Sequence, residues 1–417
     1  MEYCSAFIVK KSSGELWYFF YEKSKGIVGI NFCNNKIKNN LIAAESAIDN
    51  FTVYINSKDE INIFYEDING SISVAVPENN TFKNYTLFKR KSENHEKVQF
   101  QVAMVRNNIY LFYSISNEYE KDGILVYQTF SESLGWSRPN FIDTIYIEKN
   151  KSFSVLKQGE YIFIFYVKHD SRFTLVYRIL NTLDKRCSER TIMDYSDFTF
   201  LDYEMLLINN SIHGLYIKSQ GSFSSLIYTN GSNTEISRQL YINSCAVMYL
   251  DNEIYLCWNQ GKKLNYINSS EGSVIKTVIS PGEIIKAGFI SNYSEDKNNT
   301  EINSIYIYVK NYIPIVLFAD LYIYMGGASD DKYTILLKKF QQKKYKLIKA
   351  ESEITLKSSE IYNLQQIIKK KDAEITLLNS KLQQLSTEIN RLNIIINELK
   401  EEKKPGSGLF GFFKGRT

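Results

Sequence analysis

Residues suited to acid–base, nucleophilic or metal chemistry are few and scattered in this chain. Its three histidines, His95, His169 and His213, lie far apart, and none stands with Cys or carboxylates at metal-ligand spacing. His213 falls in a predicted strand, where a packing role outranks a ligand role. The five cysteines, Cys4, Cys33, Cys187, Cys245 and Cys257, are odd in number and hold no Cys-x-x-Cys pair. Reduced thiols are therefore expected in place of a disulfide framework. There is no Gly-x-Ser-x-Gly elbow, phosphate loop or dinucleotide fingerprint. No catalytic residue, metal site or cofactor is expected, although acidic pairs cannot be placed without a fold.

The rest of the chain has an ordinary globular balance, 44% hydrophobic and 23% charged over 417 residues. Abundant Asn, Ile, Lys and Tyr beside five Pro resemble the usage of an AT-rich bacterial genome. The start, "MEYCSAFIVKKSSGELWYFF", lacks a secretory apolar stretch. No run reaches the roughly 18 apolar residues of a membrane-spanning helix. The expected location is cytoplasmic, or peripheral to a membrane or envelope. Charge is uneven: from Leu336 onward 17 Lys/Arg face 9 Asp/Glu, whereas the first 335 residues carry 33 against 37. Two regions with different tasks follow from that asymmetry.

Within the N-terminal region a single phrase recurs: "DEINIFYED" from Asp59, "NNIYLFYSI" from Asn107, "GEYIFIFYV" from Gly159 and "NEIYLCWNQ" from Asn252. Aligned on the last aromatic, the anchors are Tyr21, Tyr65, Tyr113, Tyr166, Tyr216, Trp258 and, more weakly, Val309. Their spacings are 44, 48, 53, 50, 42 and 51 residues. Each is followed by a polar turn, most of them Gly-containing, and a second β-branched or aromatic run, as hairpins require. A period in the forties with about four strands per unit predicts a β-propeller over residues 1–327. Seven blades are counted, with six or eight if an end is miscounted. A sandwich is the alternative for so many short strands. In this reading "NNIYLFYSI" is an inner blade strand and most aromatics pack one sheet on the next.

After a linker at 328–335 the pattern becomes helical. The heptad core positions Ile361, Leu364, Ile368, Ile375, Leu378, Leu382, Leu385, Ile389, Leu392, Ile396 and Leu399 are all Ile or Leu. They predict a long α-helical coiled coil over 336–403. Ile at a with Leu at d favours a parallel homodimer, while Ile367 and Ile395 at g widen the stripe toward a trimer. The Lys-rich "KKFQQKKYKLIK" (Lys338–Lys349) reads as a solvated helix face before a nucleic-acid stripe, since it is short and has no Arg.

The segment 404–417 follows Pro405 as a flexible tail. Its Leu409, Phe410, Phe412, Phe413, Lys414 and Arg416 form an apolar cluster with no core to join. Docking into a partner protein is the first reading, and weak contact with a membrane surface the second.

"GWSRP" at Gly135–Pro139 resembles the outer-strand signature of lectin-like and sialidase-like propellers. The resemblance rests on that motif, the repeat length and the strand pattern. It implies a ligand face on the loops and makes Trp136 the candidate ligand-binding residue. Sialidases also need an arginine triad, a Tyr/Glu pair, an acid/base Asp and Asp-box turns. No Asp box occurs, and Arg90, Arg106, Arg138, Arg172, Arg178, Arg186, Arg190 and Arg238 form no triad pattern.

The expected function is a non-enzymatic oligomeric binding or scaffold protein that recognises a glycan or protein surface. The alternatives are a sialidase-like or other glycoside-processing enzyme, and a membrane-peripheral structural protein held by its tail.

Overall fold

Residues that alternate β-branched and aromatic side chains with polar ones pair as antiparallel strands here, because one period-two face of each run can be buried. The computed structural model describes residues 5–33, 36–79, 81–89, 97–106, 108–116, 121–131, 133–147, 152–250, 252–269, 274–292, 300–317 and 332–402. The chain divides into two units, Met1–Thr334 and Ile335–Thr417.

The first unit opens with β1 (Ala6–Lys10), β2 (Leu16–Glu22), β3 (Gly26–Cys33) and β4 (Lys36–Ala44). Sheet II is the meander β5 (Ala47–Ile55), β6 (Ile61–Asp67), β7 (Ser71–Glu78) and β8 (Thr81–Lys89). Sheet III holds β9 (Lys97–Val105), β10 (Asn108–Ser116) and β11 (Asp122–Ser131), with β12 (Gly135–Trp136) and β13 (Asn140–Tyr146) both on β11. Sheet IV repeats that plan with β14 (Phe153–Gln158), β15 (Tyr161–His169), β16 (Phe173–Asn181), β17 (Arg186–Cys187) and β18 (Thr191–Ser196). Sheet V contains β19 (Phe200–Ile208), β20 (Ser211–Gln220), β21 (Phe223–Thr229) and β22 (Asn233–Gln239). Sheet VI contains β23 (Ser244–Leu250), β24 (Glu253–Gln260), β25 (Lys263–Asn268) and β26 (Lys276–Ile279).

Four strands remain: β27 (Ile285–Ser291), β28 (Thr300–Ile302), β29 (Ser304–Lys310) and β30 (Ile313–Val316). β28 returns to β23 of sheet VI. β27 instead pairs in parallel with β1, so that β30-β29-β27-β1-β2-β3-β4 is one sheet, sheet I.

Apolar clusters fill the spaces between successive sheets, each drawing on two neighbours. First strands adjoin from sheet to sheet, β5 with β9, β9 with β14, β14 with β19 and β19 with β23. They are bridged by side chains: Gln99 accepts from the Ser152 N–H at 2.7 Å, Gln101 from the Val155 N–H at 2.9 Å, and Asp202 from the Cys245 N–H at 2.9 Å. Successive meanders with adjoining first strands and joined chain ends follow the plan of a β-propeller.

Two details refine the sequence expectation, which counted seven blades and allowed six. The described strands make six sheets, because Tyr21 on β2 and Val309 on β29 lie in the same sheet. The recurring phrase is the second strand of its unit: β10 has β9 and β11 on its two edges, and β9 is the strand that meets its neighbours.

A bulge recurs in sheets I to V, between Ile27/Val28, Ile72/Ser73, Leu125/Val126, Leu175/Val176 and Leu226/Ile227. The extra residue on the facing outer strand is apolar each time: Ala43, Leu87, Ile142, Met193 and Ile236. All five join the core shared with the next sheet. A bulge breaks alternation, so the residue after it can also face that sheet. Those following residues are Ala44, Phe88, Asp143, Asp194 and Ser237. At Gly26, which opens the first such outer pair with φ +78°, a Cβ would strike the Ala44 carbonyl.

The described residues of the second unit all belong to one helix, α1 (Lys332–Glu402), of 71 residues. Among the described residues no helix is long and apolar enough to cross a membrane. Residues 318–331, with half of the expected linker, and the tail with Leu409, Phe410, Phe412, Phe413, Lys414 and Arg416 lie outside the described residues. His95 does too.

Candidate functional site

Trp136, on the two-residue strand β12, sits opposite Phe130 with ring centroids 5.3 Å apart. It is half-buried against the core between sheets II and III. Most of its ring is thus engaged in packing. His169 is exposed and stacks on Phe173 at 4.2 Å across the β15–β16 hairpin. His213 shares a 2.7 Å hydrogen bond with the Tyr228 hydroxyl, and burial lowers its pKa. Cys187, Cys245 and Cys257 are free thiols. Among the described residues no group of three His, Cys, Asp or Glu could hold a metal ion.

The polar chemistry gathers instead between sheets. Asp143, placed by its bulge against sheet IV, accepts the Tyr166 hydroxyl at 2.6 Å. Arg190 grips the same carboxylate through Nε at 2.6 Å and Nη2 at 3.0 Å, and Lys168 Nζ is 3.4 Å away. Burial opposes ionisation of Asp143, yet Tyr166, Arg190 and Lys168 outweigh it and hold its pKa below the usual carboxylate range. Burial and the Asp143 bond push the Tyr166 phenol far upward. Arg178 adds bonds to the Ile142 and Ser188 carbonyls at 2.6 Å each. Arg178 and Arg190, separate in sequence, therefore meet at one junction, around Ile142 and Asp143.

A second cluster joins first strands. Lys286 on β27 reaches Asp202 at 2.9 Å and Glu204 at 3.0 Å, both on β19. Ser304 donates to Glu204 at 3.0 Å. Burial alone would lower the Lys286 pKa, but the Asp202 and Glu204 charges keep it well above its ordinary value. Hydrolysis of a glycosidic bond needs one protonated acid and a second ionised carboxylate on opposite sides of the bond. Asp202 and Glu204 share one ammonium, and Asp143 is held as an anion by a bidentate arginine. Both groups are arranged as structural ties. Neither was legible in the sequence, since the partners of these carboxylates lie 23 to 100 residues away and leave no local pattern.

No protein-family model matches the sequence, and no curated protein matches it. Among solved structures, AofleA from Arthrobotrys oligospora aligns with a TM-score of 0.44 and 11% identity, over 67% of this chain and 87% of its own. The fungal lectin of Aleuria aurantia, described as a six-bladed β-propeller with a fucose recognition mode, aligns at 0.43 and 10%, over 67% and 97%. The α-L-arabinofuranosidase Arb93A of Fusarium graminearum aligns at 0.38 and 11%, over 61% and 92%. Likenesses at this level decide neither ligand nor chemistry for this chain.

Proposed function

We propose that this chain is a non-enzymatic, self-associating binding or scaffold protein. Its propeller, read as seven repeat units with the first and last merged through β1 and β27, recognises a glycan or a protein surface. Its helix joins copies in parallel, and the tail supplies a separate contact with a partner.

One observation carries the self-association. The eleven heptad-core Ile and Leu named above, from Ile361 to Leu399, are between 46% and 64% exposed on a single helix. Each such side chain gains about 1.5–3 kcal/mol when fully buried. A second copy offers the same stripe in register, as a heptad pattern requires. The ties on Asp143, Asp202 and Glu204 favour binding over hydrolysis.

Sedimentation of the full chain and of a Leu378→Asp, Leu385→Asp variant tests the reading. A dimer or trimer that becomes monomeric in the variant supports it. A full chain that sediments as a monomer at micromolar concentration refutes the association.

A further inference from the structure

The apolar seam of α1 has one exception. Of the twelve a and d positions from Ile361 to Leu399, eleven are Ile or Leu, and the twelfth is Lys371, at d. Lys371 pairs along its own helix with Glu374, at g, its Nζ 2.7 Å from Oε2. A charge drawn into an apolar layer is costly unless it is met. Glu374 meets it from one side.

A second acid stands next to it. Asp372 occupies e, and it is the only acid at e between Gln365 and Lys400, where the others are Gln, Asn, Ser and Lys. The lone core Lys of this stretch and its lone acidic e residue are thus neighbours in sequence. On one helix they do not face each other, because successive side chains point about 100° apart. Across a parallel pair they do. A d side chain enters a hole of four residues on the facing helix, bounded on one side by e of the same layer. Lys371 then lies beside the partner's Asp372. Its long stem stays in the seam while the ammonium reaches the rim, where that carboxylate stands.

Other alignments lose this match. A slip of one heptad sets Lys371 against Leu364 or Leu378, with Gln365 or Asn379 at e. A slip of two heptads sets Ser358 or Ser386 in the place of the acid. Antiparallel pairing sets d against a, and a is Ile or Leu throughout this stretch. A third strand would bring a third ammonium into one layer.

We propose that Lys371 and Asp372 form a register key, which selects as partner a second copy of this chain, parallel and in register, and limits the assembly to two. The inference rests on the self-association read above and names the geometry of the partner. A polar residue in one core layer fixes alignment and strand number at a cost in stability. The neighbouring Ile and Leu layers supply attraction but no such choice, since they match equally well when shifted by a heptad.

The test mixes two charge variants of the full chain. Lys371→Glu sets like negative charges across the key, and Asp372→Lys sets like positive ones. Each alone should dissociate at least tenfold more readily than wild type. In their equimolar mixture, every contact between position 371 of one chain and position 372 of the other joins opposite charges. Sedimentation at a concentration where each variant alone is monomeric should then show a dimer. Lys371→Leu should associate at least tenfold more tightly than wild type and admit a third copy. A mixture no tighter than its components, or variants that associate as wild type does, overturns the key and leaves self-association standing. A wild-type trimer, or a Lys371→Leu chain that stays a dimer, overturns the limit of two. A wild-type chain that is monomeric at micromolar concentration overturns both the key and the association beneath it.

Discussion

The Tyr216 hydroxyl donates to Asp194 Oδ2 at 2.6 Å, and Lys218 stands 2.6 Å from the same oxygen. Tyr166 and Lys168 meet Asp143 in the same way one sheet earlier. Each carboxylate follows a bulge residue, so the bulge is what aims it at the next sheet. Removing the phenol leaves a part-buried anion short of a donor. Tyr216→Phe should cost about 1–3 kcal/mol, and Asp194→Asn should cost less when added to it than alone. Urea unfolding of the double-mutant cycle measures the coupling.

Lys286 should be harder to replace. Lys286→Met takes the ammonium away from the buried Asp202 and Glu204, a loss of about 3–5 kcal/mol. The folded-state pKa of Lys286 is raised. Its contribution is therefore full below the unfolded value of about 10.4 and fades only as pH rises through the folded one. The stability gap between wild type and variant should hold from neutrality to about pH 10. A gap that closes by pH 8 contradicts the pairing.

Asp143 works in the opposite direction. Its folded pKa is depressed, so the unfolded chain binds more protons and stability rises with pH. The contribution is present above about pH 3.9 and is lost as pH falls through the folded value. Asp143→Asn should therefore flatten the acid limb of the stability profile. Equal slopes in wild type and variant below pH 4 would show that another group dominates there.

Trp136→Ala is expected to act on stability. Its half-buried ring packs on Phe130, so a loss of about 2 kcal/mol is expected, under the ~3–5 of a fully buried Trp. The midpoint of thermal unfolding should drop by several degrees while sugar binding persists. Lost binding at an unchanged midpoint would make Trp136 a ligand residue, as the motif at Gly135–Pro139 implied.

The repeat was legible because it is local. Tyr65, Tyr113, Tyr166, Tyr216 and Trp258 stand at the same place in β6, β10, β15, β20 and β24, each beside a turn the sequence announces. The helix was legible for the same reason, since its heptads are contiguous. What joins the units was not. Ile142–Asp143 and Met193–Asp194 read as ordinary alternating pairs, and only pairing with β11 and β16 shows that two successive side chains face one sheet. The merging of first and last units was hidden too, because nothing in "AFIVK" names "IKAGFIS" as its neighbour.

That parallel pairing has a consequence for how the protein is made. Phe7 ends up opposite Gly288, so β1 leaves the ribosome long before its neighbour exists. At ~5–20 residues per second the wait lasts about 14–56 s. Throughout it one edge of β1 is open to any strand that arrives first. A message broken before the codon for Ile285 leaves that edge open for good, and the matching strand then available is β27 of a neighbouring full-length chain.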